Sequence, residues 1–458
     1  MSVLEKMLLA VLALGTAVLP FPYGAVQTIH WAAWGLMVMI VVALIGLHDL
    51  LIGGTRTFAA IIRAHAGELA LLAAAVFYVF MQVLPLAWGD GSWPGNLLGI
   101  PQGTTRLSLA GDATLNDGFR LVLYISLYLA LLRLMDGAHG IRLLAAMLIV
   151  AAVLQTLIGF VDLYYELDIL PEGAKDGHFD RMSGTFINRN HYANMMGMTI
   201  PLAIGFLMSV RPSGDGRRLM IQILDELLTG RTLFWLMVVA IMFGGLFYSG
   251  SRGGALALLG GLGVVLLMAT MAPRKRRRPK HNLALGILSL GAVVVGGEMV
   301  GWGVLLDRLM VSVATSDERV LQWQHTLYMI KDHLWLGSGF GSYQYVFPQY
   351  KPAALGGHLY EHAHNDYLEA LATLGIGGVT LLYGAIAYIL WRNIRAVFVS
   401  HHRSRRIGRG LIIGINAGTI AFLVHGVVDF SFYITANTAY FFALMAMGTV
   451  AARQYHVN

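Results

Sequence analysis

The chain has 458 residues, of which 57% are hydrophobic and only 12% are charged, and its formal net charge is +7. A soluble domain carries about twice that charged fraction, so the composition excludes a soluble globular protein and indicates an all-α polytopic membrane protein. The sequence contains no cysteine, which excludes disulfides, thiolate nucleophiles and cysteine-ligated metals.

Apolar runs predict about twelve membrane-spanning helices, because a helix needs about 20 apolar residues to cross a bilayer. The first run resembles a secretory signal, and we interpret it as a retained first span. All spans belong to one integral membrane domain, residues 1–458. The predicted spans are 7–21, 28–47, 67–86, 119–135, 142–164, 191–209, 233–249, 254–271, 282–303, 366–391, 410–428 and 437–452.

The charge distribution predicts the orientation of these spans. If the N-terminus is cytoplasmic, most of the 32 Lys and Arg residues fall on the inner side and most acidic residues on the outer side. This arrangement satisfies the positive-inside rule and places both termini in the cytoplasm. The basic run Arg274–Lys280 is interpreted as an anchor at the anionic inner surface of a phospholipid membrane, and no nucleic-acid partner is expected.

Two long loops are predicted on the outer side, residues 88–118 and residues 305–363, the latter between spans nine and ten. Loops of this length are uncommon unless they carry a function. Within the second loop, an amphipathic helix is predicted to lie on the membrane surface or to cap a cavity. Its apolar positions are Val320, Trp323, Leu327, Ile330 and Leu334.

Three polar clusters are predicted to meet on the outer side. The first lies in a loop before span six and contains Arg181, Asn188 and Arg189. Guanidinium and amide groups at a helix N-terminus suit the binding of a phosphate or diphosphate. The alternative is that an asparagine caps the helix while Arg189 faces the lipid headgroups.

The second cluster is the turn "YSGSRGG", which carries Arg252 between spans seven and eight. A guanidinium close to the hydrocarbon boundary usually has a partner or a function. Glycines on both sides of Arg252 allow a ligand or another backbone segment to approach. The alternatives are that Arg252 reaches lipid phosphate or pairs with an outer acidic residue.

The third cluster opens span ten with the sequence "EHAHND". His364 is a candidate general base, because its reference pKa lies near working pH. Asn365 is expected to cap the helix, and Glu361 or Asp366 to orient the imidazole. A helix-capping role for the histidine, or a zinc site, remains an alternative. The zinc ligands would be His358, His362, His364 and Glu361.

Four segments together resemble the bacterial O-antigen ligase family over roughly residues 180–430. "HNDYLEALATLGIGG" fits its H-N-x9-G-x-x-G pattern, with His364, Asn365, Gly375 and Gly378 in register. "SGTFINRNHYAN" is similar to its GTFxNPNxxA segment, "SGSRGG" to its S-x-SRG turn, and "ERVLQWQHTLYMIKDHLWLGSGFGSY" to the region before its histidine. Arg189 departs from the pattern, because the family often has proline there.

The resemblance implies a GT-C-like glycosyltransferase of the bacterial inner membrane, with a periplasmic active site and no metal or other cofactor. Its donor would be an undecaprenyl diphosphate-linked O-antigen and its acceptor a sugar hydroxyl of lipid A–core, with inversion at the anomeric carbon. His364 would deprotonate the acceptor, and Arg252 and Arg189 would bind the diphosphate. Arg181 and Arg319 would be weaker helpers.

Other functions stay open at this point. An O-antigen polymerase or a protein O-oligosaccharyltransferase of the same superfamily would share the donor and differ in the acceptor. The short tail after the last span favours the ligase. A transporter of a lipid or polyanion is a further alternative, and it predicts charged residues in mid-membrane, for which Glu68, Asp162 and Glu298 are candidates.

Overall fold

A computed structural model describes residues 2–54, 56–85, 106–165, 181–209, 230–271, 317–399 and 408–456. Within these ranges the chain is helical and has no β-strand. The helices are α1 (Val3–Val18), α2 (Thr28–Leu51), α3 (Phe58–Ala64), α4 (Ala66–Met81), α5 (Gly111–Leu134), α6 (Ala138–Tyr165), α7 (Arg189–Ser209), α8 (Gly230–Ser249), α9 (Arg252–Met271), α10 (Asp317–Asp332), α11 (Asp366–Val399), α12 (Arg409–His425) and α13 (Thr435–His456).

The helices have the lengths and surfaces of membrane spans. Among the described residues, seven helices are long and apolar enough to cross a bilayer, or eight if α3 and α4, which meet at 98°, form one bent span. Helix α2 exposes Ile29, Leu36 and Leu44, an outer surface that suits lipid. The chain is therefore a multi-pass membrane protein.

The predicted spans correspond to helices wherever the structure describes them. The ninth span, 282–303, and the basic run 274–280 lie outside the described residues, so the number twelve stays a prediction. Two boundaries differ by eight residues from the prediction: α5 begins at Gly111 rather than at residue 119, and α11 continues to Val399 rather than ending at residue 391.

Helix α7 lies at the centre of the bundle, where nearly all of its side chains are buried. It packs against α12 through glycines. A Cβ atom on Gly205 would lie 2.7 Å from the carbonyl oxygen of Gly410, and one on Gly414 would lie 2.5 Å from that of Pro201. The two backbones therefore approach as closely as small residues allow, which is the usual basis of packing between membrane helices.

Helix α11 breaks at Gly375, and another segment of the chain fills the break. Gly375 has a φ of 63°, and a Cβ on it would lie 2.5 Å from the backbone nitrogen of Gly337. Tyr78 Oη donates to the carbonyl oxygens of Leu336 and Leu374, both at 3.0 Å. Glycine at position 375 is thus required by both its backbone angle and this close approach.

Helix α10 forms as predicted, and its predicted apolar positions divide between the protein interior and the surface. Val320 and Leu327 are exposed, whereas Gln322 and Thr326 are buried. Gln322 Nε2 donates to the His362 carbonyl oxygen at 2.8 Å, and Thr326 Oγ1 and the Tyr343 hydroxyl are 2.8 Å apart. Polar contacts to the segment before α11, rather than apolar spacing, determine how α10 is oriented.

A buried ion cluster joins three helices at the far end of the bundle from Asp366. The Arg133 guanidinium on α5 is only 3% exposed and pairs with Glu5 Oε1 of α1 at 2.7 Å and Asp49 Oδ1 of α2 at 2.5 Å. Two carboxylates sharing one buried guanidinium depend on it for charge compensation.

We expect Arg133→Met to destabilise the protein by about 1–3 kcal/mol, because it removes the guanidinium that pairs with the partly buried Glu5 and Asp49 carboxylates. The measurement is the apparent melting temperature of the purified protein in detergent. Arg63→Met, which replaces an exposed arginine on α3, is the control and should melt like wild type. Equal melting temperatures for both variants would contradict a stabilising role for the cluster.

Candidate active site

The loop between α12 and α13, residues 426–434, connects the polar clusters that the sequence analysis singled out. We call it the Asp429 loop. Asp366 N, at the start of α11, donates to the Gly426 carbonyl oxygen at 2.8 Å. Arg319 Nη1 of α10 donates to the carbonyl oxygen of Val428 at 3.4 Å. Helices α10 and α11 therefore meet at this loop.

Arg252 lies at the same end of the bundle. A Cβ on Gly253, the next residue, would lie 2.9 Å from Val428 Cγ2 and 3.2 Å from Nε2 of His425, the last residue of α12. Arg252 is the first residue of α9, and its turn is held by a hydrogen bond from Gly254 N to Ser251 Oγ at 3.2 Å. The structure thus places Arg319 and the turn that carries Arg252 beside the same residue, Val428.

His364 contacts the loop directly through Asp429. His364 Nδ1 lies 3.3 Å from Asp429 Oδ1, and its ring meets the edge of Phe430 at 4.9 Å between ring centroids. The imidazole is 27% exposed, whereas the Asp429 side chain is only 2% exposed. Because a carboxylate partner at Nδ1 holds the proton there, Nε2 is the ring nitrogen left to accept one.

The partner of His364 differs from the predicted one. From the sequence, the expected partner of the His364 imidazole is Glu361 or Asp366, because both are close to His364 along the chain. The Asp366 carboxyl group instead accepts from Ser431 N at 2.9 Å and from Phe432 N at 3.3 Å. A Cβ on Gly426 would lie 2.5 Å from Asp366 Oδ2, so only glycine fits there. The Asp366 carboxyl group therefore holds the Asp429 loop in place, and this loop positions Asp429 beside His364.

Asp429 carries a negative charge in this setting. Burial by itself raises the pKa of its carboxyl group, but the hydrogen bond to His364 and the nearby His191 and His425 outweigh burial and hold that pKa below its usual range. An ionised carboxylate beside an imidazole stabilises the imidazolium that forms when the ring accepts a proton.

A second histidine pair lies next to the first. His362 Nδ1 lies 2.9 Å from Glu369 Oε1, and the imidazole stacks on the rings of Phe430 and Tyr433, both at 4.4 Å. Burial lowers the pKa of His362, but Glu369 more than offsets this and the pKa is raised. In the described part of the chain, no three His, Asp or Glu side chains are placed to hold a metal, so the residues named for the alternative zinc site do not converge.

Two asparagines in the predicted site cap helices. Asn188 Oδ1 accepts from Asn190 N at 2.8 Å at the start of α7, and Asn365 Oδ1 accepts from the backbone of Tyr367 and Leu368, both at 3.0 Å. Arg189 is the first residue of α7 rather than a loop residue. For Asn188, this geometry matches the alternative interpretation as a helix cap.

Arg189 and Arg181 also lie at this end of the bundle. Asn437 Nδ2 of α13 donates to the His191 carbonyl oxygen at 2.9 Å, which attaches the first turn of α7 close to the Asp429 loop. Met182 N donates to the Tyr248 carbonyl oxygen at 3.2 Å, which attaches the Arg181 segment beside the turn that carries Arg252. Nη1 of Arg189 is buried without a hydrogen-bond partner in the described residues.

Sequence reasoning missed Asp429 and His425, and it assigned no role to His191, which belongs to the first polar cluster. In the described part of the chain, Asp429 Oδ2 and the Nε2 atoms of both histidines are buried without hydrogen-bond partners. Buried polar atoms in this state usually mark a functional site or an unseen small polar group. The sequence signal that could have identified Asp429 is its position directly after predicted span eleven, on the predicted outer side of the membrane.

Of the three acidic residues that left a transporter open as an alternative, the structure describes two, and both lie at helix ends. Glu68, in the first turn of α4, pairs with His65 and with Arg392 Nη1, the latter at 2.6 Å. Asp162 lies in the last turn of α6, and Glu298 is outside the described residues. The described acids are therefore at helix ends, which argues against a proton relay through the bundle.

Comparison with known proteins supports the resemblance found in the sequence. Residues 237–383 match a family model described as O-antigen ligase. The matched segment contains Arg252, Arg319 and His364, whereas Arg189 and Asp429 lie on either side of it. A search of curated proteins found no match.

We expect the His362–Glu369 pair to make stability depend on pH. Because the pKa of His362 is raised in the folded protein, its contribution is fully present below the unfolded pKa of about 6.5 and is lost as pH rises through the folded pKa. The melting temperature of wild type should fall over this interval, and that of His362→Gln should fall less. His358→Gln, which replaces a nearby exposed histidine, is the control, and identical profiles for all three proteins would contradict the assignment.

Proposed function

We propose that this chain belongs to the O-antigen ligase family, whose model matches residues 237–383, and that it transfers a glycan from undecaprenyl diphosphate to a sugar hydroxyl of lipid A–core. The observation that carries the proposal is the buried, ionised Asp429 behind a partly exposed His364, at the end of the bundle that also holds Arg252. A base and a cationic group are the two elements that this reaction requires.

His364 acts as the general base. A sugar hydroxyl is a weak nucleophile, and His364 Nε2 takes its proton as the oxygen attacks the anomeric carbon. Asp429 keeps the other nitrogen protonated and stabilises the resulting imidazolium. The new glycosidic bond forms on the face opposite the leaving group, so the anomeric configuration inverts.

The arginines act on the leaving group. As the bond between the anomeric carbon and the diphosphate oxygen breaks, the electron pair leaves with the diphosphate. Arg252 and Arg189 bind this growing negative charge, and fixed cations of this kind lower the barrier because they need no rearrangement during the reaction. The first turn of α7 adds backbone N–H donors and a positive dipole end. Arg181 and Arg319 are supporting residues, and the proposed chemistry uses no metal.

The location of the site suits substrates that arrive from the bilayer. The Asp429 loop connects two helix ends, so lipid-linked sugars reach it by lateral diffusion at the membrane boundary. Together with the positive-inside orientation, this supports an active site on the periplasmic face of the inner membrane, with both termini in the cytoplasm.

The acceptor distinguishes the ligase from the related transferases. Assays of the purified protein with one undecaprenyl diphosphate-linked glycan and three acceptors test this directly. Lipid A–core should be glycosylated, whereas a second donor molecule or a pilin peptide should not. Transfer to a second donor molecule instead would indicate a polymerase, and transfer to the pilin peptide would indicate a protein O-oligosaccharyltransferase.

We expect His364→Ala and Arg252→Ala each to lower the transfer rate by about 10²–10⁴, the range usual for losing a general acid–base group or a charge-stabilising donor. The measurement is the amount of glycan on lipid A–core per unit time. Arg63→Ala, which replaces an exposed arginine at the far end of the bundle, should leave the rate unchanged. Wild-type rates in both site variants, with normal melting temperatures, would refute the mechanism.

We expect Gly253→Ala to lower the transfer rate by about tenfold or more, because its Cβ would press on Val428 and His425 and move Arg252 away from the Asp429 loop. Gly263→Ala on the same helix is the matched control, since a Cβ there meets no atom within 4 Å. Equal rates for both variants would show that the placement of this turn does not matter.

A further inference from the structure

The ring of Phe430, the residue after Asp429, contacts three imidazoles. His362 stacks on it, with 4.4 Å between the ring centroids and 22° between the ring planes. His364 and His191 meet it in T-shaped contacts at 4.9 Å and 4.8 Å, with interplanar angles of 73° and 80°. The proposed reaction assigns no role to this phenyl ring, although one of the three imidazoles is the proposed base.

The hydrogen bond to Asp429 does not by itself fix the orientation of the His364 ring. The distance from His364 Nδ1 to Asp429 Oδ1 is 3.3 Å, just beyond the usual range for an N–H···O hydrogen bond. The imidazole is 27% exposed, so water competes for its nitrogens. The last torsion of a histidine side chain is broad and roughly two-fold. A half-turn of the ring would therefore put Cδ2 in the place of Nδ1 and break the pair.

A second pair of a histidine and a carboxylate lies close to the first. His362 Nδ1 pairs with Glu369 Oε1 at 2.9 Å, and only Ala363 separates His362 from His364 along the chain. The Ala363 N–H donates to Glu369 Oε2 at 2.7 Å, so this carboxylate lies against the backbone between the two histidines. Two imidazoles and two carboxylates in such a small region can pair in more than one way. Other contacts must therefore specify that His364 pairs with Asp429.

The Phe430 ring is suited to this task because it is itself held in place. Its stacking partner His362 also contacts the ring of Tyr433, at 4.4 Å. The next residue, Ser431, donates its N–H to the Asp366 carboxyl group at 2.9 Å, which fixes the backbone. T-shaped contacts are a preferred geometry of aromatic pairs. A fixed phenyl ring in such a contact therefore resists rotation of the neighbouring imidazole.

We propose that Phe430 is a positioning residue for the general base. Its ring holds the His364 imidazole with Nδ1 toward Asp429, so that Nε2 stays free to accept the proton of the sugar hydroxyl. The same ring contacts His191, which lies in the first turn of α7 two residues after Arg189. Phe430 thereby also positions the base relative to the helix end that is proposed to bind the diphosphate. This inference rests on the role proposed above for His364.

The tautomer of His364 tests the inference without any substrate. A neutral imidazole carries its proton on one ring nitrogen or the other. The full-length protein with isotope-labelled histidine is studied in nanodiscs by NMR, at a pH where imidazoles are neutral, and His364→Gln assigns the His364 signals. In wild type we expect the proton on Nδ1. Phe430→Leu, which removes the ring but stays apolar, should give a mixture of both tautomers, whereas Phe430→Tyr, which keeps the ring, should match wild type.

Two control variants remove a ring that does not contact His364. Phe432 lies in the same loop, but its ring packs on Phe422 and Phe441, at 4.8 Å and 5.4 Å, and on no imidazole among the described residues. Phe432→Leu should leave the tautomer of the base unchanged even where it lowers the melting temperature. Tyr328, on the exposed side of α10, meets His325 in a T-shaped contact at 5.3 Å. Tyr328→Leu should leave both the tautomer and the transfer rate unchanged.

The transfer rate is the second readout. We expect Phe430→Leu to lower kcat by about tenfold, because the base loses its alignment with the sugar hydroxyl. Phe430→Tyr should stay within about twofold of wild type, since the ring remains. If Phe430→Leu fails to fold, Phe430→Met serves as the second variant without a ring.

Three results would overturn the inference: a proton found only on Nδ1 in the variants without a ring, a mixture of tautomers in Phe430→Tyr, or the same mixture in Phe432→Leu. If wild type transfers no glycan, the proposed function fails. The tautomers of the variants still decide whether Phe430 positions His364, so the two failures are distinguishable.

Discussion

The candidate active site depends on the attachment of the Asp429 loop to the start of α11. The Asp366 carboxyl group accepts two backbone N–H groups of the loop, and its own N–H donates to the carbonyl oxygen of Gly426. These contacts place Asp429 against the residue two positions before Asp366, which is His364. A general base needs its orienting partner within hydrogen-bond reach, so the proposed catalytic pair forms only while this attachment holds.

Much of this arrangement was predictable because a membrane restricts the chain. Alternating spans and the positive-inside rule put the segments of Arg189, Arg252 and His364 on one side, and the structure brings their helix ends together. Asp429 was missed because it is 65 residues from His364, and only tertiary packing brings them into contact. The orientation of α10 was missed because Gln322 and Thr326 are buried through hydrogen bonds, which apolar periodicity does not detect.

The glycines of the H-N-x9-G-x-x-G pattern have a structural role, which is separate from the chemical role proposed for the histidine. Gly375 allows α11 to break and admits the backbone of Gly337, and a Cβ on Gly378 would lie 2.7 Å from the Tyr78 ring. Tyr78 Oη in turn lies 3.0 Å from two carbonyl oxygens, that of Leu374 just before the break and that of Leu336 in the segment that fills it. The motif therefore combines His364 with a packing contact in the helix that follows it.

His364 has a φ of 50°, in a region that side-chain-bearing residues seldom occupy. Such a conformation costs on the order of 1–3 kcal/mol and persists only where neighbouring contacts impose it. The Asn365 cap on one side and the Asp429 contact on the other impose it here. The proposed base is thus held in place at a cost to the stability of the fold, and a change that weakens those neighbours is expected to let the backbone relax and turn the imidazole away. At His364, the same φ angle therefore lowers the stability of the folded protein and sets the orientation of the imidazole that is proposed to act as the base.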